Sequence, residues 1–133
     1  MIVNFSELGS EIIKQRAHGL LAAQIVMEWR KKDLPDCWPE TVLATAEHDD
    51  AQVELEADDL LRPQGGPVNF RMKLFEADHC LHLLNLAQSK SRYIGLLISL
   101  HMVFLHHIEA ESNPEAKLFL DQQIKLQSQW GKD

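Results

Sequence analysis

The sequence predicts an all-α, single-domain bundle of about five helices, and three observations lead there. Apolar residues recur at helical spacing in successive stretches, and no run alternates as a half-buried strand would. The third is length: 133 residues suffice for one core covering roughly two thirds of the unfolded chain's surface. No internal repeat is visible.

Ile13, Ala17, Leu20, Leu21, Ala22, Ile25 and Trp29 keep a helical period, so a long amphipathic helix is expected from Ser10 to about Lys32. Pro35 breaks it. Pro39 and Glu40 suit the first turn of a second helix through Asp49, because proline there forfeits no intrahelical hydrogen bond. An acidic excursion from Glu47 to Asn69 carries Pro63, Gly65, Gly66 and Pro67 and reads as the longest irregular segment. Helical spacing returns from Asn69 to Gln88 through Phe70, Leu74, Ala77, Leu81 and Leu84. The fourth helix, YIGLLISLHMVFLHHI, is apolar nearly all round and is expected at the centre of the core. Asn113 as cap and Pro114 in the first turn open a last helix, EAKLFLDQQIKLQSQW.

Composition narrows the function classes. Thirteen Lys and Arg stand against 20 Asp and Glu, and the formal charge of −7 would repel a nucleic-acid polyanion. Cys37 and Cys80 are far apart and form no CxxC pair, so neither a disulfide framework nor a thiolate zinc site is indicated. The opening MIVNFSELGS lacks the basic segment and apolar run of a signal peptide, and Tyr93–Leu105 is too short to span a bilayer. These features lead to an expectation of a soluble cytoplasmic protein, with no membrane and no nucleic-acid partner. A homo-oligomer is left open.

The seven histidines are the unusual feature. His48 and Asp49 are adjacent at the end of the second helix, and neighbouring side chains diverge by about 100°, so they meet one metal only where other helices converge. His18 lies 30 positions earlier, at the border of the face expected to be buried. His101 falls in register with Ile94, Leu97, Leu105 and Ile108, where an imidazole interrupts a core stripe. Each alone reads as a satisfied core or boundary histidine, since a buried imidazole needs a hydrogen bond or a ligand. Together, on separate helices, His18, His48, Asp49 and His101 suggest a metal site. His79 and His82 form an i, i+3 pair whose spacing would allow a second metal or, with Asp78, a place in a pocket, but surface or boundary packing is the preferred reading. His106 and His107 close the fourth helix, where a partly positive ring is favourable.

A histidine on the first long helix, a His-Asp dyad about 30 residues on and a further ligand on a later core helix resembles the HD-domain superfamily of metal-dependent phosphohydrolases. More narrowly, HGLLAAQI, VLATAEHDD, GGPVNF and YIGLLISLHMVFL resemble an uncharacterised bacterial branch with an HD-like helical fold, over most of the chain from about Ala17 to Gln129. His101 stands where that superfamily usually carries Asp, and Ala51 and Gln52 stand where the branch tends to carry a Gly-aromatic pair.

The resemblance implies hydrolysis of a phosphoester on a small phosphorylated molecule or nucleotide. Imidazole and carboxylate donors suit a divalent Mn, Fe, Zn, Ni or Mg ion. A phosphate substrate also wants cations, and Arg16, Arg71, Lys73 and Arg92 are the basic residues near the candidate helices, although each equally fits solvated surface charge. Arg71 and Lys73 are the cations assigned to the site, with Asp50 as general base or supporting acceptor beside the dyad, where a plain helix-terminal acid is the alternative. The rival is a catalytically silent helical module that keeps the histidines as a structural metal site and binds a ligand or partner.

Overall fold

A computed structural model describes residues 1–51 and 60–130. Most of the acidic run, with Gln52, lies outside them. The described chain is predominantly helical. Its elements are an antiparallel hairpin of β1 (Ile2–Ser6) and β2 (Gly9–Ile13), then α1 (Gln15–Met27) and α2 (Trp38–Glu47), followed by α3 (Ala77–Gln88), α4 (Arg92–His106) and α5 (Pro114–Trp130). No described helix is long and apolar enough to cross a membrane.

The hairpin is the element that helical periodicity did not reveal. Its register runs from Ile2 opposite Ile13 to Ser6 opposite Gly9, and Gly9 closes the turn at φ +132°, a conformation other residues rarely adopt. All of β2 is exposed, and only Met1 and Val3 at the start of the hairpin are buried, so the alternation is too short to read. It docks through its first strand: Phe70 N donates to the Met1 carbonyl (2.7 Å) and Asn69 Nδ2 to the Val3 carbonyl (3.3 Å). The expected helix from Ser10 consequently starts only at Gln15.

The onset of α3 is also later than expected. Asn69 accepts from Arg71 N and caps a short 3₁₀ turn over Phe70–Met72, and the chain then stays extended until Ala77. In that extended stretch Leu74 points out while Phe75 is buried, and Phe75 N donates to Glu109 Oε1 at 2.9 Å. The last two helices are capped by side chains, the second of them at Asn113 as expected. Ser91 Oγ accepts from Ile94 N, and Asn113 Oδ1 accepts from Glu115 N and Ala116 N.

Helix α4 is the centre, packed on α2, α3 and α5, while α1 packs on α2. Ile94, Ile98 and Met102 of α4 are buried with Leu83, Leu84, Ala87, Phe119 and Leu120. The α4–α5 register is pinned by a buried polar chain: Ser99 Oγ donates to Gln123 Oε1 (3.0 Å) and Gln127 Nε2 donates to Ser99 Oγ (2.9 Å). The apolar stripe leaves the core beyond His101, with Leu105 and Ile108 exposed.

Helix α1 buries a different face from the one its leucines mark. Leu20 and Ile25 are 62% and 67% exposed, whereas Gln15, Gly19 and Ala23 are buried. A row of small residues lets two backbones approach, and Gly19 does so to the limit: a Cβ there would overlap the Ala46 carbonyl oxygen of α2. Gly19→Ala should therefore cost about 1–3 kcal/mol in chemical denaturation, and a midpoint unchanged from wild type would show that α1 can shift without loss.

Candidate metal centre

The packing order α1, α2, α4 places one histidine from each helix at the same point. Gly19 draws α1 against α2 beside His18, His48 and Asp49 follow the last turn of α2, and His101 faces them from α4. The His18 and His48 rings lie edge-on at 5.2 Å between centroids, and His48 and His101 likewise at 5.0 Å. One ligand atom from each of His18, His48 and Asp49 lies within 4.8 Å of the other two, the one such group of donors among the described residues. All four expected residues line a cavity of about 180 Å³, completed by Ile2, Gln15, Phe70 and Leu105. His101 borders this group rather than joining its tightest part.

Hydrogen bonding fixes how His48 presents itself. Its Nδ1 lies 2.7 Å from the Thr45 carbonyl oxygen, which can only accept, so Nδ1 carries the proton and the neutral ring turns its lone pair out at Nε2. That Nε2 lies 3.3 Å from Asp49 Oδ2. Two acceptors at this separation repel unless a proton or a cation joins them. Accordingly the bond to Asp49, helped by the Thr45 carbonyl and by the charges of Asp49 and Asp50, outweighs burial and raises the His48 pKa above its ordinary 6.5. Burial alone would raise Asp49, but the hydrogen bond and charge of His48, with the charges of His101 and His18, hold it below 3.8. Burial, then the His48 charge, pushes His101 down from 6.5.

Gln15, absent from the expected set, belongs here. It is 4% exposed, and its Nε2 donates to Asp49 Oδ2 at 3.1 Å. Its spacing from Gly19 was the available signal, because i and i+4 share a helix face. His79 is a partial case. Its Nε2 is buried with no hydrogen-bond partner among the described residues, and it lines a gap of about 40 Å³ with His48, Asp49 and His101. His82 belongs to no cluster of three or more possible metal ligands among the described residues.

The residues assigned catalytic roles are placed otherwise than expected. Asp50 Oδ1 is held by Arg16 Nε at 3.3 Å, and Asp50 does not line the cavity around the dyad. The carboxylate turns to the α1 cation because its neighbour Asp49 already occupies the inward direction. Arg71 lies over the Phe70 ring, 5.7 Å from its centroid, so it reaches the cavity's edge through Phe70 rather than directly. Lys73 acts on His79, whose pKa is lowered first by burial and then by the Lys73 charge, and it too is outside the lining. Arg92 opens α4, more than two turns from His101.

Residues 1–133 match the family described as Protein of unknown function (DUF3891). The chain belongs to that family. No curated protein and no solved structure matches it.

A second line of reactive groups in this DUF3891 member has the outline of a thiol-imidazole-carboxylate relay. Cys80 Sγ lies 3.9 Å from His106 Nε2, and His106 Nδ1 lies 3.5 Å from Glu109 Oε2. The thiolate is disfavoured, because burial first, then the charges of Glu109 and Glu76, push the Cys80 thiol up to about 11. At pH 8 such a thiol is ionised on the order of one part in a thousand. Native protein treated with iodoacetamide at pH 8 should be alkylated at Cys37 and spared at Cys80, as read by peptide mass spectrometry; labelling of Cys80 first would reinstate it as a nucleophile.

Proposed function

We propose that this DUF3891 chain is a metal-dependent phosphohydrolase acting on small phosphorylated molecules, with a divalent cation held by His18, His48 and Asp49 and flanked by His101. One observation carries the reading: His48 Nε2 and Asp49 Oδ2 face each other at 3.3 Å, and a ligand atom from each of His18, His48 and Asp49 lies within 4.8 Å of the other two. The donor set fits the ion. Imidazole nitrogens and a carboxylate without thiolate suit Mn, Fe, Zn, Ni or Mg, and His48 has its other nitrogen fixed by a carbonyl, as metal-bound histidines do. The order of the ligands along the chain and their resemblance to HD-domain phosphohydrolases point the same way.

A bound cation supplies Lewis acidity to a phosphoryl oxygen and lowers the pKa of water. The chain's own residues orient the site. Thr45 fixes the His48 tautomer, Gln15 fixes the Asp49 carboxylate, and Ile2, Phe70 and Leu105 wall the cavity with apolar surface. His101 places a ring nitrogen donor or acceptor at the cavity wall. The silent binding module keeps one observation in its favour, because no basic side chain lines the cavity among the described residues.

Purified protein loaded with Mn or Zn should carry about one ion per chain by elemental analysis and turn over members of a phosphoester panel. His48→Ala and Asp49→Ala should each lose the ion and the turnover while keeping the far-ultraviolet dichroism of the wild type. Metal bound without turnover of any ester would favour the silent module.

Gln15→Leu tests the support of Asp49. It should weaken metal affinity about 10–100-fold with the fold intact, whereas unchanged affinity would reduce Gln15 to a packing residue.

A further inference from the structure

A second, larger cavity of about 350 Å³ shares His48 and His101 with the first and is otherwise lined by residues that include Val26, Trp29, Thr41 and Thr45. Its volume falls in the range of about 300–1,000 Å³ typical of small-molecule sites. Apart from the two histidines, its polar side chains are two threonines whose hydroxyls already have partners. Thr41 Oγ donates to the Cys37 carbonyl (2.9 Å) and meets Tyr93 Oη (3.2 Å), and Thr45 Oγ donates to the Thr41 carbonyl (2.8 Å). A nucleobase here would find at most the two histidines for its several ring nitrogens and exocyclic groups and would leave the rest without partners, at the cost such burial carries. An apolar group would not. Trp29, 54% exposed and 6.2 Å from the Trp38 ring, adds an aromatic edge.

We infer that the substrates are phosphate monoesters of compact apolar alcohols, aromatic or aliphatic, with the alcohol part in this second cavity and the phosphoryl group at the metal centre. The inference rests on the phosphohydrolase reading for the phosphoryl end alone. The reaction balances without a further reactant: water adds to phosphorus, the bond from phosphorus to the alcohol oxygen breaks, and the alcohol leaves with one proton as inorganic phosphate forms. His48 and His101 line both cavities, so the scissile bond belongs beside them.

Calorimetric titration of the full chain with 1-naphthol, the apolar part alone, tests the second cavity independently of metal and turnover. Saturable binding is expected, weakened about tenfold or more by Val26→Phe, which fills cavity volume from a half-buried position. Trp29→Ala, a change at an exposed position, should also weaken it and guards against misfolding of the first variant. No saturable binding by the wild type, or equal binding by both variants, overturns the proposal. In the turnover assay 1-naphthyl phosphate should show a KM at least about tenfold below that of glycerol 1-phosphate. Equal KM values would overturn the apolar-alcohol assignment and leave the phosphohydrolase reading standing. Naphthol binding that both variants weaken, with neither ester hydrolysed, would uphold the apolar ligand cavity and overturn the phosphohydrolase reading.

Discussion

The close crossing of α1 and α2 at Gly19 is the constraint on which the rest of the site depends. With only a hydrogen at that position, the α1 backbone can lie against the Ala46 carbonyl, and residues on both sides of the contact inherit its geometry. His18 precedes the glycine by one residue, and His48 follows Ala46 by two. Gln15, one turn earlier on the same α1 face, reaches Asp49 for the same reason. A longer side chain at Gly19 would push the helices apart and separate every one of these pairs, whatever the chemistry of the histidines themselves.

The two remaining walls come from opposite parts of the chain. Helix α4, clamped between α2, α3 and α5 and pinned to α5 by Ser99 and Gln123, delivers His101 from the most rigidly packed part of the fold. The hairpin, tied by its Met1 and Val3 carbonyls to Phe70 and Asn69, brings Ile2 and Phe70 over the other side. A polar cluster is thereby enclosed by apolar neighbours. That enclosure lowers the local dielectric and strengthens both the attraction of the cluster for a cation and the repulsion between its acceptors when nothing joins them.

Helical spacing made the centre of the fold legible, because α4 and α5 bury apolar residues at helical intervals, and Pro39 and Asn113–Pro114 stand where α2 and α5 begin. Spacing failed where burial did not follow hydrophobicity. Leu20 and Ile25 suggested the buried face of α1, but the helix packs through Gln15, Gly19 and Ala23, since close approach rewards small size over apolar area. The hairpin escaped because two five-residue strands with one mostly exposed partner lack the alternation that marks a half-buried sheet. His18, His48, Asp49 and His101 could be grouped from sequence by residue type and by their placement on separate helices. Asp50, Arg71 and Lys73 could not be placed, because a side chain's direction at a helix end or in an extended link is set by the partner it finds, here Arg16, the Phe70 ring and the surroundings of His79.

The distribution of positive charge bears on how such a site could hold an anion. Arg16 is committed to Asp50, Lys90 to Glu47 at 3.0 Å, and Arg30 to Asp33 at 2.8 Å, within a chain of net charge −7. Around His18, His48 and Asp49 the lining supplies nitrogen lone pairs and a carboxylate, and no guanidinium or ammonium among the described residues. A phosphate drawn into such a cavity by protein side chains alone would meet acceptors, and the Asp49 carboxylate, held below its usual pKa, would repel it. A divalent ion on the same donors reverses the sign of that interaction, because it is the largest local charge in its site. On the proposed function, the scarcity of basic residues and the convergence of ligand atoms are two aspects of one arrangement: a cation would supply the positive charge, and the apolar cavity that shares His48 and His101 would take the part of the ligand that carries none.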